Sequence, residues 1–378
     1  MKKTILFFIE SLDVGGAEKS LVSLLNNADF SNYNVDLMML KKGAFSHEVP
    51  GYVKIIFLNK LQPSLLQRLR FNLLKVINLK KLHPAQYFWK VYGKNFKMEP
   101  KTYDVAIAYS QGFSTYFVAE KVSATRKYTW LNTDYQKMGY QISSDYPFYK
   151  CFNKIIAVSH SVLESFNVAL QNINRSLPVD IIKDITDKKT LEVQANQPLK
   201  TKFPADRVNI VSVGRLVQPK GFSLAISACA ILKSKGYSIN WYIIGEGAAR
   251  NNLEQQIAKE NLKDQFFLLG ADANPYPYMK ACDIYVQTSL FEGLGLTVIE
   301  ASCLNKPIVC TNFPTVYGIL KDEATGLFAE MTAESVAAQI ERLINHPDLR
   351  QFLISNLLNQ ENTDKEISLA KIEKLLSE

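Results

Sequence analysis

Glu292 and Glu300 stand eight positions apart in Ser289–Ala301, SLFEGLGLTVIEA, on either side of Gly293-Leu294-Gly295 and just after the apolar run Asp283–Thr288. A carboxylate accepts two hydrogen bonds side by side, which suits the adjacent hydroxyls of a ribose or hexose. The amide N–H groups of Gly293, Leu294, Gly295, Leu296 and Thr297, at the mouth of a helix expected over Gly295–Leu304, suit an anion. Acids in contact with a phosphate would repel it, so hydroxyls are the expected partners of Glu292 and Glu300, and the cluster asks for a sugar nucleotide. A nicotinamide dinucleotide fingerprint is the competing reading, but Val298 stands where its third glycine belongs, and Val14-Gly15-Gly16 fails as well. A lone E-x7-E would otherwise read as a loop acid and a solvent-facing helix acid.

Three further loops carry the same kind of chemistry. VSVGRLVQPKGF holds Gly214, Arg215, Lys220 and Gly221 between a strand and a helix. A guanidinium and an ammonium in one short loop suit a diphosphate, the first through paired planar donors and the second as a point charge. The alternative is a pair of solvated surface cations. WYIIGEGAAR ends a strand on Gly245-Glu246-Gly247, which reads either as a backbone turn beneath a ligand or as a tight turn with an exposed acid. Near the start, Ser11–Glu18 opens a helix with Gly15 and Gly16, a place for close backbone approach or a plain cap.

Each loop requires a strand before it and a helix after it, and the apolar periodicity supplies both. Strands are expected at Thr4–Ile9, Asn34–Leu40, Val53–Leu58, Tyr103–Tyr109, Lys127–Leu131 and Lys154–Val158, then at Val208–Val213, Asn240–Ile244, Phe266–Leu269, Asp283–Gln287 and Pro307–Thr311. Helical spacing marks Gly16–Asn27, Ser161–Gln171, Phe222–Lys235, Ala248–Lys259 and Gly295–Leu304. The result is α/β architecture, two Rossmann-like doubly wound parallel sheets facing a central cleft, with ligands at the carboxyl ends of the strands. Asp180–Arg207, rich in Lys, Asp, Thr, Gln and Pro, reads as a linker with at most short local structure. The expected domains are 1–182, taking the acceptor, and 183–378, taking the donor nucleotide, with the final helix packing back toward the first.

Bulk composition narrows the class. The 378 residues carry 44 Lys and Arg against 36 Asp and Glu, a formal charge of +8, and 47% apolar residues. Five scattered cysteines form no C-x-x-C pair, so a reducing, cytoplasmic setting is expected. MKKTILFFIES reads as a first strand rather than a secretory signal, and no stretch approaches the roughly 20 apolar residues of a membrane span. Any membrane contact is then peripheral, at the inner face of the cell membrane.

Taken together, GGAEKSL, VGRLVQPKGF, GEG, LGADANPYPYMKACDIYVQTSLFEGLGLTVIEA and KPIVCTNFPTV resemble the family-4 retaining glycosyltransferases with the GT-B fold over nearly the whole chain. The resemblance implies that Arg215 and Lys220 hold the donor diphosphate, Glu300 binds the ribose hydroxyls and Glu292 lies near the transferred sugar. It implies that the turn Gly293–Leu296 supplies N–H groups, that Gly16 lets the N-terminal loop close over the donor, and that Gly270 and Tyr276 flank the base. It also implies a hexosyltransferase using a nucleotide sugar, commonly a UDP-sugar, to extend a glycan or lipid-linked acceptor in cell-surface polysaccharide biosynthesis. The leaving phosphate helps deprotonate the acceptor. No D-x-D triplet occurs, so no catalytic metal or other cofactor is expected.

One departure stands at Asn132, where many relatives carry a histidine; it motivates the alternative of a catalytically silent GT-B partner or glycan-binding subunit. Asp134 and His160 are candidates to fill that gap. A second feature is basic. Between residues 60 and 101, Lys60, Arg68, Arg70, Lys75, Lys80, Lys81, Lys90, Lys94, Lys97 and Lys101 face only Glu99, and Leu65–Lys81 sets Leu65, Leu66, Leu69, Leu73, Val76 and Ile77 on one helical face. That pattern fits docking to an anionic membrane surface, or a core-facing helix with a solvated rim. No recognisable nucleic-acid-binding motif accompanies the charge.

Overall fold

Runs of β-branched and aromatic residues form strands here because helices cover both sheet faces, which keeps the runs apolar without alternation. The computed structural model describes residues 2–58, 63–77, 82–360 and 363–378. The chain divides into two units, Met1–Ile185 with Asp364–Glu378, and Thr186–Thr363.

In the first unit the described strands are β1 (Lys3–Phe8), β2 (Tyr33–Met39), β3 (Lys54–Phe57), β4 (Thr102–Ala108), β5 (Ser123–Leu131), β6 (Lys154–Ala157) and β7 (Val179–Ile181). They pair in parallel in the order β3-β2-β1-β4-β5-β6-β7. The winding direction therefore reverses between β1 and β4, the switch point at which loops splay apart and leave room for a ligand. The terminal helix Asp364–Ser377 belongs to this unit: it buries Ile372, Leu375 and Leu376, and its Leu375 carbonyl accepts from Tyr128 Oη at 3.1 Å.

The second unit carries β8 (Val208–Val213), β9 (Ile239–Ile244), β10 (Phe266–Gly270), β11 (Ile284–Gln287), β12 (Ile308–Thr311) and β13 (Leu327–Ala329), parallel in the order β10-β9-β8-β11-β12-β13. Its switch point lies between β8 and β11. Trp241 is fully buried among Ile210, Phe222, Ile226 and Ile243 on one side of this sheet, while Tyr242, Tyr276, Tyr285 and Val298 pack the other.

Two features depart from the expected layout. The stretch Asp180–Arg207 is more than a linker: it completes β7 and contains the helix Lys188–Ala195, whose cap is the Asp187 carboxylate accepting from Thr190 N at 3.1 Å. Leu191 and Ala195 of that helix are buried, which holds it against the second unit's core. The strand β13 is also new. Both added strands are three residues long, too short to show a period.

A buried acid stiffens the first unit. Asp145, 1% exposed, accepts from Gln86 Nε2 at 2.7 Å, Tyr116 Oη at 2.8 Å and Tyr135 Oη at 2.5 Å. Burial pushes its carboxyl up to about 6 from 3.8, against the pull of the three donors. A carboxyl with a folded-state pKa above its unfolded value holds its proton more tightly when folded. Stability is then lost as pH rises from about 4 to 6 and regained on acidification. The unfolding midpoint of this unit, followed by near-UV circular dichroism, is expected to rise between pH 6.5 and 4.5; a flat or falling midpoint contradicts the assignment.

Candidate active site

The second unit gathers its loops at the β8/β11 switch point. After β8 the chain runs through Gly214, Arg215 and a short turn at Gln218–Lys220 into the helix Phe222–Ser234. Gly221 makes the junction at φ +65, and a Cβ there would stand 1.9 Å from Thr288 O. The loop after β9 presses on the same place: a Cβ on Gly245 would lie 1.8 Å from Gly214 O, with Gly214 N donating to Ile244 O at 3.1 Å and Leu216 N to Glu246 O at 3.0 Å. Only glycine lets these backbones meet so closely.

That closeness puts Lys220 beside the end of β11. Its stem crosses Gly214, with Cδ 3.3 Å from where a Cβ would be, and its ammonium reaches Glu292 Oε1 at 2.7 Å and Oε2 at 2.8 Å. Glu292 Oε1 also accepts from Ser289 Oγ at 2.6 Å and Gln287 Nε2 at 3.1 Å. Gln287 is fixed in turn by Tyr285 Oη at 2.7 Å and Thr297 Oγ1 at 3.2 Å. The Glu292 side chain is 11% exposed and that of Lys220 19%. An ammonium has three donors, so two spent on Glu292 leave one to direct at an anion.

This pairing changes one expectation: in the structure Glu292 has the Lys220 ammonium as a partner, not only hydroxyls. Sequence reasoning separated the two because they are 72 residues apart. Of the supporting polar set, Gln287 and Ser289 were visible only as part of the Gln-Thr-Ser that interrupts an apolar strand end, and Thr297 only as a residue of the helix mouth.

The helix Leu296–Cys303 opens at Gly295, φ +88, just after the Gly293–Leu294 turn, so the N–H groups of its first residues have no helical carbonyl four residues back. Glu300, 3% exposed, lies one turn in and accepts from Tyr276 Oη at 3.1 Å. Tyr276 begins the helix Tyr276–Ala281 and is itself buried. Gly270 ends β10 at φ +85 and accepts from Gly245 N at 2.8 Å. Arg215 is exposed on the same loop as Lys220. Glu246 is exposed and turned outward, its carboxylate taking Arg250 Nε at 2.9 Å on both oxygens, which holds its pKa below the usual range. Arg215, Lys220, Gly245, Gly270, Tyr276, Glu292, Gly293–Thr297 and Glu300 thus share one unit and one edge of its sheet.

Gly16 and Asn132 belong to the first unit. Gly16 is the exposed first residue of the helix Gly16–Asn27, following β1. Asn132 follows β5, and both its amide atoms are enclosed without a hydrogen-bond partner among the described residues. Gln111 Nε2 and Thr133 Oγ1 are in the same state, while Gln111 Oε1 accepts from Thr133 N at 3.3 Å. Enclosed polar atoms left unpaired are costly, and three neighbouring residues with such atoms at strand ends form a place that hydroxyls would satisfy. Sequence reasoning missed Gln111 and Thr133. Asp134 is spent on structure, its Oδ1 accepting from Ser165 Oγ at 2.5 Å and from Gln136 N and Lys137 N at 3.1 and 3.0 Å. His160 is exposed at the start of the helix His160–Gln171.

Comparison with known proteins places this geometry. Residues 193–359 match the family model described as glycosyl transferases group 1. An uncharacterized glycosyltransferase of Methanocaldococcus jannaschii is 30% identical over 174 residues, 44% of this chain and 42% of that protein, so the match spans less than half the length of that relative. An N-acetylgalactosaminyltransferase of Campylobacter jejuni, which acts on N-acetylgalactosamine-N,N'-diacetylbacillosaminyl-diphospho-undecaprenol, is 28% identical over 358 residues, 91% of each chain. Among solved structures, Anabaena HepE in complex with UDP and glucose superposes with a TM-score of 0.72 at 19% identity over 99% of each chain, a likeness of fold. Two parallel Rossmann-like sheets and the likeness to HepE give the chain the GT-B fold, and residues 193–359, which lie within the second unit with its glycine-built strand-end loops, are similar to the glycosyl transferases of group 1.

Proposed function

We propose that this transferase moves a hexose, with retention at the anomeric carbon, from a UDP-sugar to a hydroxyl of a glycan or lipid-linked acceptor in cell-surface polysaccharide biosynthesis. The observation that carries the reading is the Lys220–Glu292 pair at the β8/β11 switch point, beside the helix start at Gly295 and the buried Glu300. In this reading Arg215, the third donor of Lys220 and the Gly293–Thr297 amides meet the diphosphate, and Glu300 takes the ribose hydroxyls. Glu292 holds the ammonium in place and offers its remaining lone pairs to the sugar. Tyr276 lies beside the base because its hydroxyl is already tied to Glu300.

The reaction breaks the bond between the sugar C1 and the diphosphate oxygen and forms one from C1 to the acceptor oxygen, whose proton passes to the departing phosphate. The protein's share is electrostatic: fixed donors meet the charge growing on the diphosphate. Arg215 and Lys220 supply positive charge from side chains, and the proposal assigns no step to a metal. The unpaired Gln111 Nε2, the Asn132 amide and the Thr133 hydroxyl give the first unit groups that take sugar hydroxyls in both donor and acceptor sense. The undecaprenyl-diphosphate acceptor of the Campylobacter relative supports the lipid-linked alternative.

A thermal-shift screen of nucleoside diphosphates and their sugars tests the donor. UDP at about 100 times its Kd is expected to add about 2.7 kcal/mol to the stability of the second unit, and Glu300→Ala to remove most of that shift. Stabilisation by ADP or GDP with none by UDP would replace the base; stabilisation by no nucleotide would defeat the reading.

A further inference from the structure

The helix Leu65–Ile77 rests on the first unit by the wrong face. Phe71 packs against Tyr87, Phe88 and Tyr92 with ring centroids 5.6, 5.9 and 5.2 Å away, Leu74 joins the same cluster, and Gln67 Nε2 donates to Asn95 Oδ1 at 2.7 Å. At about 100° per residue these three residues cover an arc of about 60°. Leu65, Leu66, Leu69, Leu73, Val76 and Ile77 cover another arc, about 120° wide, and are 75, 79, 61, 58, 84 and 47% exposed. No residue of this helix is buried. A soluble amphipathic helix turns its apolar stripe to the core; this one turns it to the outside, and six apolar side chains on one stripe are far from the scattered exposure any surface shows.

Charge borders the stripe. On the same wheel Arg70 flanks one margin, and Arg68 and Lys75 lie beyond the other, all exposed. Glu99 is the only acid between residues 60 and 101, where ten lysines and arginines stand. Lys60, Lys80 and Lys81 of that set lie outside the described residues. An apolar stripe edged by cations matches the boundary between acyl chains and anionic headgroups, where leucines leave water and arginines stay beside phosphates. Nucleic acid would match the cations and leave the leucines unburied.

We propose that the helix Leu65–Ile77 docks this enzyme in the interface of an anionic lipid bilayer, its stripe from Leu65 to Ile77 inserted and Arg68, Arg70 and Lys75 at the headgroups. This does not rest on the donor site; it adds a surface on which a lipid-linked acceptor would be met.

Flotation of the full chain with vesicles of phosphatidylglycerol and phosphatidylcholine, against phosphatidylcholine alone, tests it. Wild type is expected to float with the anionic vesicles. A variant carrying Leu66→Ser, Leu69→Ser, Leu73→Ser and Val76→Ser, and another carrying Arg68→Gln, Arg70→Gln and Lys75→Gln, are each expected to lose at least tenfold in partitioning. Exposed positions are chosen so that folding is kept, and an unchanged UDP thermal shift in both variants separates this result from the donor reading. The difference emission of Leu69→Trp against wild type is expected to shift to the blue on anionic vesicles and to be quenched by brominated lipid. Failure of wild type to float, equal binding by all variants, an unshifted Trp emission, or a dimer in gel filtration that the serine variant dissolves would overturn the proposal.

Discussion

Lys220→Ala is expected to lower kcat/KM for the nucleotide sugar by about 100- to 1000-fold, a loss of about 3–4 kcal/mol of transition-state stabilisation. Two effects combine. On the proposed reading the ammonium meets the departing diphosphate, a charge-assisted contact worth about 1.5–3 kcal/mol. Its removal also strands the Glu292 carboxylate, whose side chain is 11% exposed, with Ser289 and Gln287 as its remaining partners. An uncompensated negative charge then faces an anionic substrate. The double variant Lys220→Ala with Glu292→Gln is therefore expected to recover part of the loss, because it removes the stranded charge without restoring the lost donor. Steady-state kinetics of the four members of this cycle give the coupling. Activity of Lys220→Ala within threefold of wild type, or strictly additive losses, would show that the pair does not act as a unit.

Gly245→Ala is expected to destabilise the second unit by about 3–5 kcal/mol and to abolish the nucleotide-induced thermal shift. The new Cβ would lie 1.8 Å from Gly214 O, a backbone atom with no room to withdraw. The β8 and β9 loops must separate, which costs about 1–3 kcal/mol of strain and breaks the Gly214 N–Ile244 O and Leu216 N–Glu246 O bonds, each worth about 1 kcal/mol. At about 2–4 °C per kcal/mol the midpoint falls by about 6–20 °C. Gly318→Ala is the control in the same unit. Nothing lies within 4 Å of its Cβ, and a change under about 0.5 kcal/mol is expected. Equal midpoints for the two variants would refute the close-approach argument.

The two effects arise at one junction, and how far it could be read from sequence follows from the physics. Strand and helix periods repeat within a few residues, so Gly16–Asn27 and Val208–Val213 stand where the sequence placed them. Helix Phe113–Lys121 escaped notice because Phe113 through Ala119 are all buried, leaving no polar face to mark a period. Pro147 inside Ile142–Tyr149 hid that helix in another way, and β7 and β13 are too short to be periodic at all.

At the site, residue types raised the expectation of a diphosphate and a sugar, and the glycines told of tight turns. What the glycines are tight against is a long-range fact. Gly245 meets Gly214, Gly221 meets Thr288, and Lys220 meets Glu292 because strand order places β8 next to β9 and β11. No local period encodes that adjacency. The same applies to the unpaired atoms of Gln111, Asn132 and Thr133, which become conspicuous only once β4 and β5 lie side by side. The stripe on Leu65–Ile77 was fully legible as a pattern, whereas its outward direction depended on Phe71, Leu74 and Gln67 taking the inner face.

A crystal structure of the full chain with UDP bound tests the central claim most directly. The diphosphate is predicted within hydrogen-bond distance of Arg215, the Lys220 ammonium and the amides at Gly293–Thr297, with the ribose hydroxyls on Glu300. A nucleotide seated anywhere else, with Lys220 and Glu292 still closed on each other and Glu300 untouched, would contradict it.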